Sequence, residues 1–261
     1  MTGDFLLYEQ VDGIVTLTMN RPDTRNALSG VAQTRCFEEA CHRVNADADV
    51  RCVILTGNGD AFCSGGHVKD LLAKKGLSEG SAYDIQNRYR ESVQRVPLVL
   101  YHLQVPTIAA INGPAYGAGC DIATMCDMRI ASTRATFAES FVKLGIVAGD
   151  GGAWFLPRAI GMSRAAEMTF TAEPVDAATA LIWGLVSRVV EPSQLMEESL
   201  ALARRIAAHP GSALRMAKRL LREGQRTGLE TLLEMTAAYQ AIAHHTPEHD
   251  EAMQRFFGEK T

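Results

Sequence analysis

No apolar run in this chain reaches the roughly 18 uninterrupted residues of a membrane-spanning helix, so no transmembrane segment is expected. The opening residues, MTGDFLLYEQ, lack a basic stretch followed by an apolar one, and no secretory leader is expected. Paired cysteines are missing as well. The six present (Cys36, Cys41, Cys52, Cys63, Cys120, Cys126) show no CxxC spacing and all lie in the first half. That distribution argues against a zinc site and suits reduced thiols of a cytoplasmic protein, most of them buried as small hydrophobes. Nor is there a surplus of positive charge. A formal net charge of -4 disfavours nucleic acid or an anionic membrane as the main partner. No internal repeat and no low-complexity linker divides the chain.

What is present is ordinary globular material: 261 residues, 47% hydrophobic and 21% charged. This length can bury a full core as one large domain, or as a domain with a helical appendage. Strand patterns fill the first two-thirds and helical patterns the last quarter. We therefore expect a core over residues 1–192 and a C-terminal helical region over 193–261.

The chain is organised around Ile111 to Asp127, INGPAYGAGCDIATMCD. A buried strand, Thr107–Ile111, breaks at Asn112-Gly113-Pro114 and passes through Gly117, Ala118 and Gly119 into an apolar helix. A strand, a glycine-rich turn and a helix start bring free backbone N–H groups together, and these attract an anion or a developing oxyanion. Asp121 falls in the first helical turn, near the face of Ala118. The plain alternative is a tight turn under a sheet, with Asp121 complementing the helix dipole.

Upstream, Ile14–Met19 reads as the second strand of a hairpin, with Asp12-Gly13 as its turn. A helix is expected from about Gly30 to Asn45, with Ser29 as N-cap. Arg51–Thr56 reads as a buried strand. It leads into a second glycine-rich turn, Asp60 to Leu71 (DAFCSGGHVKDL), of the same strand–turn–helix design. Two such turns could each supply one N–H to a shared oxygen. His67 is either a polar cap or a phosphate or catalytic contact. A long helix is expected over Gly80 to Gln104, kinked or split by Pro97.

Further on, Met128–Ala131 and Thr136–Ala138 read as short strands and Leu185–Val190 as a last one. Asp150 stands where a helix opens, which makes it an N-cap candidate. Helices follow over Met162–Thr171, Asp176–Trp183, Ser193–His209, Ser212–Glu223 and Leu229–His245. His244, His245 and His249 lack partners at metal-ligand spacing and are read as surface residues.

These segments together resemble the enoyl-CoA hydratase/isomerase, or crotonase, superfamily over essentially the full length. The resemblance rests on NRPDTRNALS (Asn20–Ser29), AFCSGGHVKDL (Ala61–Leu71) and INGPAYGAGCDIATMCD. KLGIVAGDGGAWFLPRAIG from Lys143 and GLVSRVV from Gly184 add to it. It implies an α/β, crotonase-type spiral of ββα units with a C-terminal helical trimerisation region, assembled as a homotrimer or hexamer. It also implies an acyl-CoA substrate drawn from fatty acid metabolism and no separate cofactor, coenzyme A being part of the substrate.

By the same resemblance, the N–H groups of Gly66 and Ala118 form an oxyanion hole. The coenzyme lies along Arg25, Ala27, Ser64, Gly66 and His67, with Phe257 and Lys260 reaching it from a neighbouring subunit. The stretch from Leu72 to Tyr101 lines the acyl pocket.

The carboxylates depart from the pattern. Hydratases of this family use two glutamates. The first corresponds to Asp121, whereas the second falls on Phe141, which cannot transfer a proton. Glu139, two residues earlier, is a candidate that could point elsewhere. Asp150 lies one residue past Gly149, where some isomerases of the superfamily carry their acid.

The catalytic candidates are therefore Asp121, Asp150 and Glu139, for hydration of a 2-enoyl-CoA or for double-bond isomerisation. Thioester hydrolysis, dehalogenation and non-catalytic acyl-CoA binding are the remaining alternatives. A serine peptidase on a related spiral lacks the Ser and His it needs at matching places.

Overall fold

Strands made almost wholly of buried apolar residues, CVILTG and TIAAI, require cover on both faces, and the chain supplies it in order. The computed structural model describes residues 5–28 and 30–258. A hairpin opens the fold: β1 (Leu6–Val11) and β2 (Ile14–Met19) pair antiparallel. Asp12 and Gly13 connect them, both at positive φ (51° and 74°), as a tight hairpin turn requires.

Helix α1 (Val31–Ala46), strand β3 (Cys52–Gly57) and helices α2 (Val68–Leu72), α3 (Ala82–Glu91) and α4 (Arg95–Tyr101) follow. Next come β4 (Thr107–Ile111), β5 (Ala115–Tyr116), α5 (Ala118–Met125), β6 (Met128–Ser132), β7 (Thr136–Ala138), α6 (Gly152–Ile160) and α7 (Met162–Thr171). Then β8 (Val175–Asp176), α8 (Ala177–Trp183) and β9 (Arg188–Val190) lead to α9 (Leu195–Ala207), α10 (Gly211–Glu223), α11 (Leu229–Ala243) and α12 (Pro247–Gly258).

The main sheet has the order β1-β2-β3-β4-β6-β9, parallel from β2 onward. One face packs on α9, where Leu195 and Ala203 meet Ile14, Ile54, Ile108 and Ile130. The other face buries Val53, Leu55, Ala109 and Ile111 with Phe37, Leu100 and Ile122. A smaller sheet, β5-β7-β8, runs alongside. Isolated bridges Cys63–Ala115 and Leu28–Gly66 carry that second layer back to the segments before α1 and α2. Each β–β–α turn thus puts one strand in the main sheet and a short one in the second layer.

Several expectations are corrected. The helix expected over Gly80 to Gln104 is split, but at Ser92–Gln94; Pro97 sits in the first turn of α4, where its missing N–H has no intrahelical acceptor to lose. Gly30 caps α1 without a side-chain bond, and Ser29 lies outside the described residues. Gly151, at φ 110°, takes the N-cap of α6 instead of Asp150. Leu185 and Val186 precede β9 as core residues. Helix α12 was not anticipated, although a proline at its start and Glu248 and Asp250 in its first turn are helix-start signals.

The C-terminal layer is tied to the core at Asp127, the last residue of the central stretch. Its carboxylate accepts from the Thr107 N–H and hydroxyl (2.8 and 2.9 Å), from Lys218 Nζ (2.7 Å) and from Arg222 (3.0 Å). Burial alone would raise this carboxyl, but the two cations overcome it and hold it below the ordinary range. Lys218, itself buried, also donates to the Val105 carbonyl at 2.6 Å. Lys218→Met is expected to lower unfolding stability by about 1–2 kcal/mol, because it removes the buried ammonium that ties α10 to the part-exposed Asp127 carboxylate. Urea denaturation at pH 7 checks this.

Candidate active site

Both glycine-rich turns leave the carboxyl ends of neighbouring parallel strands, β3 and β4, and they interlock. Phe62 and Cys63 donate their N–H groups to the Pro114 carbonyl (3.1 and 3.2 Å), and Tyr116 returns one to Cys63 (3.0 Å). Close approach is enforced by absent side chains. A Cβ on Gly119 would lie 2.0 Å from the Cys63 oxygen. A Cβ on Gly65, itself at φ 82°, would lie 2.6 Å from the Tyr116 oxygen and 3.2 Å from the Ala118 nitrogen.

A third segment, Thr24 to Leu28, is laced to the first turn: Ser64 N–H donates to Arg25 (2.9 Å) and Leu28 N–H to Gly65 (2.8 Å). Asn26 locks the join. Fully buried and at φ 57°, it donates to the carbonyls of Asn58, Ala61 and Phe62 at 2.9–3.2 Å and accepts from the Arg21 N–H at 2.8 Å. The sequence reading passed over Asn26. An asparagine that serves four backbone groups looks like any turn residue until those groups are seen around it.

The N–H groups of Gly66 and Ala118 have no acceptor among the described residues. Ala118 is the first residue of α5, so its N–H has no intrahelical acceptor. Two adjoining turns therefore present free donors on one side of the site.

On the inner side, three carboxyl groups meet. Asp121 (0% exposed), Glu139 (2%) and Asp150 (6%) are all buried. Asp121 lies within hydrogen-bonding reach of both others. Glu139, which could have pointed elsewhere, turns inward from the end of β7, and Asp150 does so from the turn before α6. Burial, followed by the neighbouring Asp150 and Glu139 charges, drives the Asp121 carboxyl well above the ordinary range. Burial likewise raises Asp150, and raises Glu139 to about 7. The Asp121 carboxyl also presses on the first residue of α6: a Cβ on Gly152 would lie 2.0 Å from Asp121 Oδ1.

Phe141 lies against the Gly117 turn, its ring 3.6 Å from where a Gly117 Cβ would be, as an apolar wall. Tyr89 of α3 packs on Gly149, leaving no room for a side chain there (2.5 Å to its Cε1), and the Gln94 amide donates to the Gly149 carbonyl at 3.0 Å. Neither Tyr89 nor Gln94 was singled out in the sequence. Only their positions in the expected pocket segment pointed that way.

The remaining predicted residues divide into two groups. Arg25 (exposed), Ala27 (buried), Ser64 and His67 gather with Gly66 along the join of the first two segments. His67 stands at the start of α2 without a capping bond, its Nδ1 2.9 Å from Asp70 Oδ2. Phe257 is exposed on α12, and Lys260 lies outside the described residues. Helix α12 starts at the opposite end of the strands from the turns, where Glu248 accepts from the Gly211 and Ser212 N–H groups and pairs with Arg51, next to the start of β3. Two surface cavities of about 500 and 540 Å³ lie between Tyr101 and α10, and none of the three carboxyls lines them.

Comparison with known proteins places this geometry. A family model described as enoyl-CoA hydratase/isomerase matches residues 9–261. The chain is 33% identical to the short-chain-enoyl-CoA hydratase of Clostridium acetobutylicum, covering 96% of this chain and 94% of that one. It is 30% identical to the 1,2-epoxyphenylacetyl-CoA isomerase of Escherichia coli, covering 99% and 97%. Among solved structures, the enoyl-CoA hydratase of Bacillus anthracis superposes with a TM-score of 0.90 at 30% identity over 98% of this chain and 96% of that one. The expected crotonase-type fold is thereby met.

The carboxyl cluster has a stability cost whose sign is fixed. An acid raised on folding, from 4.5 to about 7 for Glu139, stabilises the fold at low pH, and that contribution is lost as pH rises through this interval. Glu139→Gln is therefore expected to exceed the parent in stability at pH 8, on the order of 2–3 kcal/mol, and to match it near pH 5. Thermal melts across that range read the difference directly.

Proposed function

Because the chain belongs to the enoyl-CoA hydratase/isomerase family, we propose that it adds water across the double bond of a 2-enoyl-CoA. The observation that carries this reading is the burial of Glu139 and Asp150 beside Asp121. One carboxyl is enough to move a proton along an enoyl chain. Hydration needs a base to take a proton from water and an acid to give one to the α-carbon.

In this mechanism the Gly66 and Ala118 N–H groups hold the thioester oxygen. The water oxygen bonds to C3, and the electrons of the double bond pass to the thioester oxygen as an enolate. An ionised carboxylate takes the proton released by water. The enolate collapses as a protonated carboxyl delivers hydrogen to C2. Each N–H aimed at the enolate oxygen supplies roughly 3 kcal/mol of transition-state stabilisation.

Coenzyme A lies along Arg25, Ala27, Ser64, Gly66 and His67 and needs no added cofactor, while α3 and Tyr89 wall the acyl group. Leu229, Leu233, Ile242 and Phe257 are exposed on α11 and α12. They are the surface on which a homotrimer or hexamer assembles and brings Phe257 to a neighbour's coenzyme. Isomerisation is the second reading, favoured by the name of the Escherichia coli relative.

Crotonyl-CoA is expected to lose its conjugated-thioester absorbance with no release of free thiol. Activity only as an absorbance gain from a 3-enoyl-CoA would replace hydration by isomerisation, and free thiol would replace both by hydrolysis. Ala118→Pro tests the oxyanion hole. Proline suits the first position of α5 but removes the donor, so kcat is expected to fall roughly a hundredfold or more in a folded protein. An unchanged kcat in that variant would exclude this N–H from the reaction.

A further inference from the structure

The three buried carboxyls are connected in a row, and the row has a proton count. Asp121 is the member that interacts with both Glu139 and Asp150. Both Asp121 oxygens, Glu139 Oε1 and Asp150 Oδ1 have no N–H or O–H donor among the described residues. Asp121 is fully buried and wedged against Gly152.

Among the described residues, no lysine, arginine or histidine pairs with the three carboxyls. The other titratable neighbours are the Cys120 thiol beside Glu139, and Tyr89 and the Cys63 thiol near Asp150, with Arg129 acting on Cys120. Two carboxylates in contact cannot both be ionised in such a place, so each contact must contain a proton. Two contacts among three carboxyls mean two protons and one negative charge. The N-terminus of α6, which abuts Asp121, favours that single charge.

We propose that Asp121 is a positioning residue that carries a proton between Glu139 and Asp150 and resets the site after each turnover. The inference rests on the hydration reading for its role, though not for the proton count. Before reaction, one outer carboxyl is ionised and accepts from Asp121, while the other is protonated and donates to the second Asp121 oxygen. During hydration the ionised end gains a proton from water and the protonated end loses one to C2, so the two ends exchange states.

The reset breaks two O–H bonds and forms two. The newly protonated end passes its proton to one Asp121 oxygen, and Asp121 releases its own from the other oxygen to the ionised end. No proton is exchanged with solvent.

Asp121→Asn separates this role from a structural one. The amide N–H2 still donates to one neighbour and the amide oxygen still accepts from the other, but no proton passes through. In this variant kcat is expected to fall about a hundredfold or more while KM stays near the parent value. Turnover should then rise with the concentration of a small carboxylic-acid buffer, which the parent ignores. Parent-like turnover, or a loss that no buffer relieves, would overturn the relay.

The proton count is tested without substrate, by infrared spectroscopy of the intact protein. The parent should keep a protonated-carboxyl C=O band at pH 8 that weakens in Asp121→Asn. Absence of that band in the parent would overturn the count whether or not crotonyl-CoA is hydrated. If the band is present and crotonyl-CoA is left unchanged, the hydration reading alone is lost.

Discussion

The site depends on how closely two backbone turns approach. With the Cys63 oxygen where a Gly119 Cβ would otherwise sit, the turns after β3 and β4 share hydrogen bonds that only adjacent parallel strands can align. That contact puts the N–H groups of Gly66 and Ala118 on neighbouring surfaces. It also starts α5 in a direction that carries Asp121 inward. Asn26 holds the third segment to the same place by donating its side-chain amide to three backbone carbonyls.

The carboxyl cluster works against this well-satisfied scaffold. A folded core ordinarily pairs its buried charges, as buried Lys218 pairs with Asp127. Asp121 of α5, Glu139 after β7 and Asp150 before α6 are instead buried with no cation paired to them among the described residues. The first arrangement lowers a carboxyl and anchors α10; the second raises three carboxyls above the ordinary range. Groups poised between acid and base at working pH are what proton-transfer chemistry requires, and the fold accepts their desolvation cost to keep them so.

Membership of the family fixes the frame, while this chain distributes its acids differently within it. Phe141 covers the turn at Gly117 instead of transferring a proton, and Tyr89 fills the space beside Gly149. Asp150, one residue later, turns its carboxyl inward toward Asp121. Three carboxyls from three separate segments thus share one buried space.

Much of this was legible in the chain itself. The hairpin at Asp12-Gly13, the buried strands, both glycine-rich turns and Asp121 in a first helical turn follow from local chemistry, because period, turn residues and helix starts act over a few neighbours. The direction of Glu139 and Asp150 did not follow. Each lies just outside a regular element, where one residue's shift reverses the side chain and no periodicity constrains it. The break at Ser92–Gln94 was misplaced because proline is read as a breaker, although the first turn of a helix accepts it.

The sequence by itself determined the α/β frame, the two turns and the supply of carboxyl groups. Only the tertiary structure decided that the turns touch, that three acids share one buried space, and that no cation among the described residues pairs with them. The reason is physical: those properties belong to pairs of residues far apart in the chain, brought together only when the sheet aligns the strands that bear them.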